Sequence, residues 1–151
     1  MIQTLHPLLT SCVRKMAKKV TWQEVGATKG IDLLSPAFVT SGSKLVFTSG
    51  CIGSDPVTDE LPEDLEQQAR NALQNLRNVL EASGSNSDRV LKVLLFVADG
   101  AYSQTVNRIY REQFPNSPAR SCVVVSFPNP KIKVELECIA EVQPKARWFK
   151  L

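Results

Sequence analysis

Arg120, Glu135 and Glu137 are charged residues set into segments that are otherwise apolar. Arg120 opens the run RSCVVVSF over residues 120–127, and the two glutamates interrupt KIKVELECIAEV over residues 131–142. Removing a charge from water is unfavourable unless the charge gains a partner or performs a task. An arginine at the mouth of a buried strand can grip a carboxylate through two parallel hydrogen bonds, or it can form a structural ion pair with Glu135 or Glu137. The spacing leaves those readings level. Glu135 and Glu137 fall on one face of their strand, with Val134, Leu136 and Cys138 on the other. Two such carboxylates can divide acid and base roles, or one can be solvated or hold a neighbouring subunit.

Other machinery is missing from the sequence. The single histidine, His6, excludes a histidine-based triad or a multi-histidine metal centre. Neither GxGxxG nor GxxxxGK[ST] occurs. Cys12, Cys51, Cys122 and Cys138 lie far apart with no CxxC pair, so they read as reduced intracellular thiols rather than as a zinc site. Neither metal nor cofactor is expected.

The elements that position the charged residues follow from hydrophobic periodicity. Residues 44–48 are the clearest early strand, and Gly50 and Gly53 mark changes of direction after it. Pro62 is expected at the first position of a helix whose opening turn carries Glu63, Asp64 and Glu66. Leu65, Ala69, Leu73, Leu76 and Leu80 form its apolar stripe, Glu66, Gln67, Arg70, Asn71, Gln74, Arg77 and Asn78 its polar face, and Gly84 its stop. Residues 90–97 read as an interior strand, and a second helix starts near Tyr102 and ends before Pro115. The last two strands, 120–127 and 131–142, are expected to pair as a hairpin through Pro128-Asn129-Pro130. In such a hairpin Arg120 and Glu135 share a face only if the connection has even length or a bulge. The order predicts an α+β mixed sheet with both helices on one face, leaving the other partly apolar and suited to burial against further subunits.

At 151 residues, 43% hydrophobic and 22% charged, the chain has the size and composition of one soluble globular domain. No apolar run approaches the roughly 20 residues of a membrane-spanning helix, so no membrane association is expected. Four of its 18 basic residues (Arg14, Lys15, Lys18 and Lys19) lie in the first 23, where there is no acid. All 15 acids face the remaining basic residues, and that near-neutral body speaks against a nucleic-acid partner. Residues 1–19 form a separate N-terminal segment, 20–143 the domain, and 144–151 a tail in which Trp148 and Phe149 can dock. The N-terminal segment has the outline of a mitochondrial presequence, weighed against Pro7, a single arginine and a second start at Met16 that would leave a cytoplasmic form. A frayed tail is the equal alternative.

The block PARSCVVV, with the first glutamate of VELECIA fifteen residues after its arginine, carries a resemblance. So do VFTSGCIGSDPVTDELPEDLEQQARNALQNLRNVLEASG and VLKVLLFVADGAYSQTVNRIYREQF. In order and spacing over residues 36–142 these blocks resemble the RidA family, also called YjgF, of reactive-intermediate imine deaminases, including its fungal mitochondrial (Mmf-like) type. The resemblance implies a chorismate-mutase-like α+β fold assembled as a homotrimer, with ligand sites in clefts between subunits. It also implies hydrolysis of the enamines and imines that pyridoxal-phosphate enzymes release from serine or threonine, a 2-iminobutanoate/2-iminopropanoate deaminase activity giving 2-keto acids and ammonia. By the same resemblance Arg120 clamps the substrate carboxylate and Glu135 positions water and shuttles a proton. Ser49 and Gly50 match the family's pocket turn, Phe96 its apolar wall, and Cys122 a pocket-lining residue rather than a nucleophile.

Ser35-Pro36-Ala37-Phe38 stands where many members have a GPYS-like segment with its tyrosine. Cys51 replaces a glutamine, Asp59 replaces the glycine of TGE, and the loop before Pro118 is short. These departures leave Arg120 and Glu135 in place and bear on substrate preference. A non-catalytic ligand-binding regulator is the alternative, and convergence of Arg120 and Glu135 on one cleft would discriminate the two. The endoribonuclease or translation-inhibitor roles described for some members are opposed by the near-neutral body and the lack of a usable histidine.

Overall fold

The computed structural model describes residues 17–30, 33–42 and 44–143. Along them run strands β1 (Lys18–Val20), β2 (Ala37–Val39), β3 (Leu45–Thr48) and β4 (Cys51–Ile52), then helix α1 (Leu65–Ala82) and strand β5 (Val90–Val97). Helix α2 (Ser103–Gln113), strand β6 (Ala119–Val124) and strand β7 (Val134–Glu141) complete the set. Pro7 and Met16, weighed for targeting, lie outside the described residues, as do His6, Cys12, Trp148 and Phe149. The sheet begins at Lys18, inside the stretch set apart as the N-terminal segment.

Helix α1 starts three residues later than Pro62 suggests. Asp64 is its cap, its carboxylate accepting a hydrogen bond from the Gln67 amide at 2.8 Å, and Gly84 turns the chain away with a left-handed φ of +75°. The apolar stripe is buried as its period requires, with Ala69, Leu73, Leu76 and Leu80 inside. Gln68 and Asn71 are also buried, so Asn71 does not belong to the solvent face on which its position on the helix places it.

The sheet order is β1-β2-β3-β7-β5-β6, with β4 also lying beside β7. Strands β3 and β4 are two pieces of one path along β7, interrupted at Ser49 and Gly50. The expected hairpin between the last two strands does not form. Strand β6 ends at Val124 and lies parallel to β5, reached through α2, while β7 runs antiparallel to β5 on one side and to β3 and β4 on the other. A parallel partner needs a helical crossover, and α2 provides it; residues 125–133 then carry the chain past β5 to the middle of the sheet.

The sheet has two unlike faces. Val93, Leu95 and Val97 of β5 and Val134, Leu136, Cys138 and Ala140 of β7 point to the helices and are buried. Each such Val or Leu stabilises the fold by about 1.5–3 kcal/mol. On the other face Phe38 pairs with Phe47, and Phe47 with Ile139, yet Phe38 is 46% exposed, Phe47 44% and Val123 42%. Strand β6, at the sheet edge, is exposed along nearly its whole length, Val124 at 59%.

Candidate functional site

Glu135 sits on the open face, in register with Ile52 of β4 on one side and Phe96 of β5 on the other. Its carboxylate folds back over the bend between β3 and β4. A Cβ built on Gly50 would stand 1.7 Å from Glu135 Oε1, so only glycine leaves room for the carboxylate there. Half-burial raises the Glu135 carboxyl above the ordinary glutamate range, and the neighbouring Glu137 charge adds to the rise. Ser49 holds the bend in place: its amide donates to the Pro36 carbonyl at 2.8 Å and its hydroxyl to the Ser35 carbonyl at 2.6 Å. Gly50, Phe96 and Glu135 therefore lie together, with Ser49 as the tie that closes the bend.

Two hollows meet at Ser49. One of about 450 Å³ is lined by Leu33, Ser35, Phe38 and Phe47 among others; a second of about 420 Å³ runs between α1 and residues 22–30, past Trp22, Gly50 and Asn75. Glu135 borders this region through Gly50 without lining either hollow.

Arg120 and Cys122 lie elsewhere. Arg120 is in register with Val93 and Cys122 with Leu95, residues that face the helices, whereas Phe96 and Glu135 face away. Within one chain Arg120 and Glu135 are thus on opposite faces with β5 between them, and they do not converge on a cleft. The Arg120 guanidinium instead stacks over the Tyr110 ring, 4.5 Å from its centre, and Tyr110 in turn leans on Phe114 at 4.6 Å. Among the described residues no carboxylate pairs with Arg120 and no base pairs with Glu135, so the structural ion pair considered above is absent. Cys122 is exposed on the edge strand.

Cys51 and Cys138 point into the core. Burial drives the Cys51 thiol far above its usual range and the Cys138 thiol up to about 12, a poor setting for nucleophilic sulfur. Among the described residues no group of three His, Cys, Asp or Glu comes together as a metal site.

Three site-supporting residues escaped the sequence reading. Gln68, Asn71 and Asn75 follow one another along α1 and turn their carboxamides to the two strands that meet at Glu135. The signal was their spacing of three and four beside Ala72 and Leu76, which puts amides on a buried helix face.

Residues 34–142 match the family model described as Endoribonuclease L-PSP, the family also known as RidA or YjgF. The chain belongs to the RidA family. Among RidA-family relatives, the 2-iminobutanoate/2-iminopropanoate deaminase of Salmonella typhimurium is 39% identical over 74% of this chain and 84% of its own. Reactive Intermediate Deaminase A, chloroplastic, of Arabidopsis thaliana is 37% identical over 82% of this chain and 68% of its own. The crystal structure of E. coli TdcF with bound serine superposes with a TM-score of 0.71 at 32% identity, covering 85% of this chain and 99% of that one. The mixed α+β sheet with two helices is thus the RidA fold.

Proposed function

We propose that this RidA-family protein is an imine deaminase, hydrolysing 2-imino acids such as 2-iminopropanoate to 2-keto acids and ammonia at sites shared between copies of the chain. The observation that carries the reading is that Arg120 and Glu135 are both half-buried and neither has an ion-pair partner among the described residues. A half-buried charge without a counter-charge points to a binding or catalytic task. The names of the Salmonella and Arabidopsis relatives supply the reaction class, and TdcF, holding serine, supplies a ligand with the same α-carboxylate.

Because Arg120 and Glu135 face opposite ways within one chain, a second copy has to bring its Arg120 to the first copy's Glu135. The exposed edge strand β6 and the apolar open face are the surfaces such an assembly would bury, in keeping with a homotrimer. Arg120 clamps the substrate carboxylate through paired hydrogen bonds. Glu135 takes a proton from water as its oxygen bonds to the carbon of the protonated imine, giving a carbinolamine, and returns that proton to the nitrogen; as the carbon–nitrogen bond breaks and ammonia leaves, Glu135 takes the hydroxyl proton and the oxygen becomes the keto group. A carboxyl raised above its usual range by burial is suited to both directions of that transfer. Phe96 walls the carboxylate and Cys122 lines the approach beside Arg120.

The test is keto-acid and ammonia release while a pyridoxal-phosphate dehydratase generates 2-aminoacrylate. Wild type accelerates release over the spontaneous rate, and Arg120→Ala and Glu135→Ala abolish the acceleration. Mixed assemblies of the two inactive variants recover about a quarter of wild-type activity, the fraction of sites that draw an intact residue from each of two copies. No acceleration by wild type overturns the deaminase reading. Acceleration without recovery on mixing overturns the shared site.

A further inference from the structure

Strand β4 has only two residues and a single strand neighbour, β7, yet Glu135 rests on the bend at its start. A strand that short contributes little pairing of its own, so something else has to set its distance from β7.

Gln68 is fully buried in the first turn of α1. Its Nε2 donates to the carbonyls of Pro62 at 2.7 Å and Lys131 at 2.8 Å, and its Oε1 accepts from the Lys133 amide at 2.9 Å. Lys131 and Lys133 are the run-in to β7, and Glu135 is two residues further on. The backbone of the same residue lies against the other strand: a Cβ on Gly53, just after β4, would meet Gln68 O at 2.4 Å and Gln68 Cα at 2.6 Å. One helical turn on, Asn71 Nδ2 donates to the Gly53 carbonyl at 3.2 Å. One more turn on, Asn75 Nδ2 donates to the carbonyls of Ile52 at 3.0 Å and Ser54 at 2.9 Å.

From this arrangement we infer that the carboxamides of Gln68, Asn71 and Asn75 are the positioning residues for Glu135, clamping β4 and the start of β7 to one rigid helix so that the carboxylate lies on Gly50. The inference rests on the deaminase reading for its functional consequence and on the hydrogen bonds alone for its geometry. None of the three amides lies on the open face, so they act through the backbone of both strands. A displacement of about 1 Å between β4 and β7 is enough to misplace a reacting group at a cost of about 100-fold in rate. The charged and titratable groups around Glu135 are Glu137 of β7, Lys92 of β5 on the same face and the Cys51 thiol of β4. The facing residues of β3 and β6, Phe47 and Val123, carry no charge.

The test compares Gln68→Leu and the milder Asn75→Ala with Val106→Ala, a core substitution in α2 that removes stability and leaves the three carboxamides unchanged. Two readouts are taken well below all melting temperatures: kcat and KM for imine hydrolysis, and the titration midpoint of the Glu135 carboxyl by carbon-13 NMR. We expect kcat to fall about 10- to 100-fold in Gln68→Leu and less in Asn75→Ala, with KM within about threefold, and the Glu135 midpoint to move in both. Val106→Ala should keep both the wild-type kcat and midpoint. If Asn75→Ala, together with Gln68→Leu where it folds, behaves like Val106→Ala in both readouts, the amides are merely structural and the inference falls. If wild type itself does not hydrolyse imines, the deaminase reading fails, while the Glu135 midpoints still decide the positioning.

Discussion

The Glu135 carboxylate fills the place that a side chain at Gly50 would take, with Oε1 1.7 Å from where a Cβ would stand. Gly50→Ala therefore has to expel the carboxylate from its seat. We expect activity to fall by about 100-fold, the loss typical of a misplaced catalytic group, measured as keto-acid release. Gly42→Ala, where a Cβ meets nothing within 4 Å, is the control and should match wild type.

Glu135 also sets a trade between function and stability. Its carboxyl is raised by burial and by Glu137. A group whose folded value exceeds its unfolded value gives stability that is full at low pH and lost as the pH rises through the folded value. Glu135→Gln stays neutral throughout, so it should be inactive yet melt above wild type at pH 7. The difference should close below about pH 4, where the wild-type carboxyl is protonated in both states. Melting temperatures at the two pH values check this, and equal or lower stability of Glu135→Gln at pH 7 would contradict it.

Arg120 depends on the ring beneath it. The Tyr110 hydroxyl is buried without a hydrogen-bond partner among the described residues, so Tyr110→Phe should keep or raise the melting temperature. Tyr110→Leu removes the aromatic face while keeping apolar bulk. Compared with Tyr110→Phe, it should raise KM by about 3- to 10-fold through loss of the cation–π contact. Steady-state kinetics on the pair of variants separates the ring from the hydroxyl.

Asp59 occupies a left-handed turn position with φ of +63°, where the family motif carries glycine. Glycine adopts that conformation without the Cβ penalty. Asp59→Gly should therefore stabilise the protein by about 0.5–1 kcal/mol in a denaturant titration.

Much of the candidate site was legible from residue types alone. Charged residues on apolar strands singled out Arg120 and Glu135 because burial of charge is unfavourable without a purpose, and strict alternation assigned Glu135 and Glu137 one face of β7. The period of α1 and the run of β5 were equally clear, since a buried helix stripe and a strand with neighbours on both sides leave their mark on adjacent residues. What failed were statements about which strand lies beside which. Residues 120–127 and 131–142 looked like a hairpin because they are neighbours in sequence, but β6 crosses over to pair with β5 and leaves β7 to the centre of the sheet. Pairing is a long-range choice made by which apolar faces bury each other, and no local pattern encodes it. That choice put Arg120 and Glu135 on opposite faces of one chain, which is why the proposed site draws on a second copy. It also set Asn71, read as part of the polar face of α1, against a strand carbonyl, in line with Gln68 and Asn75.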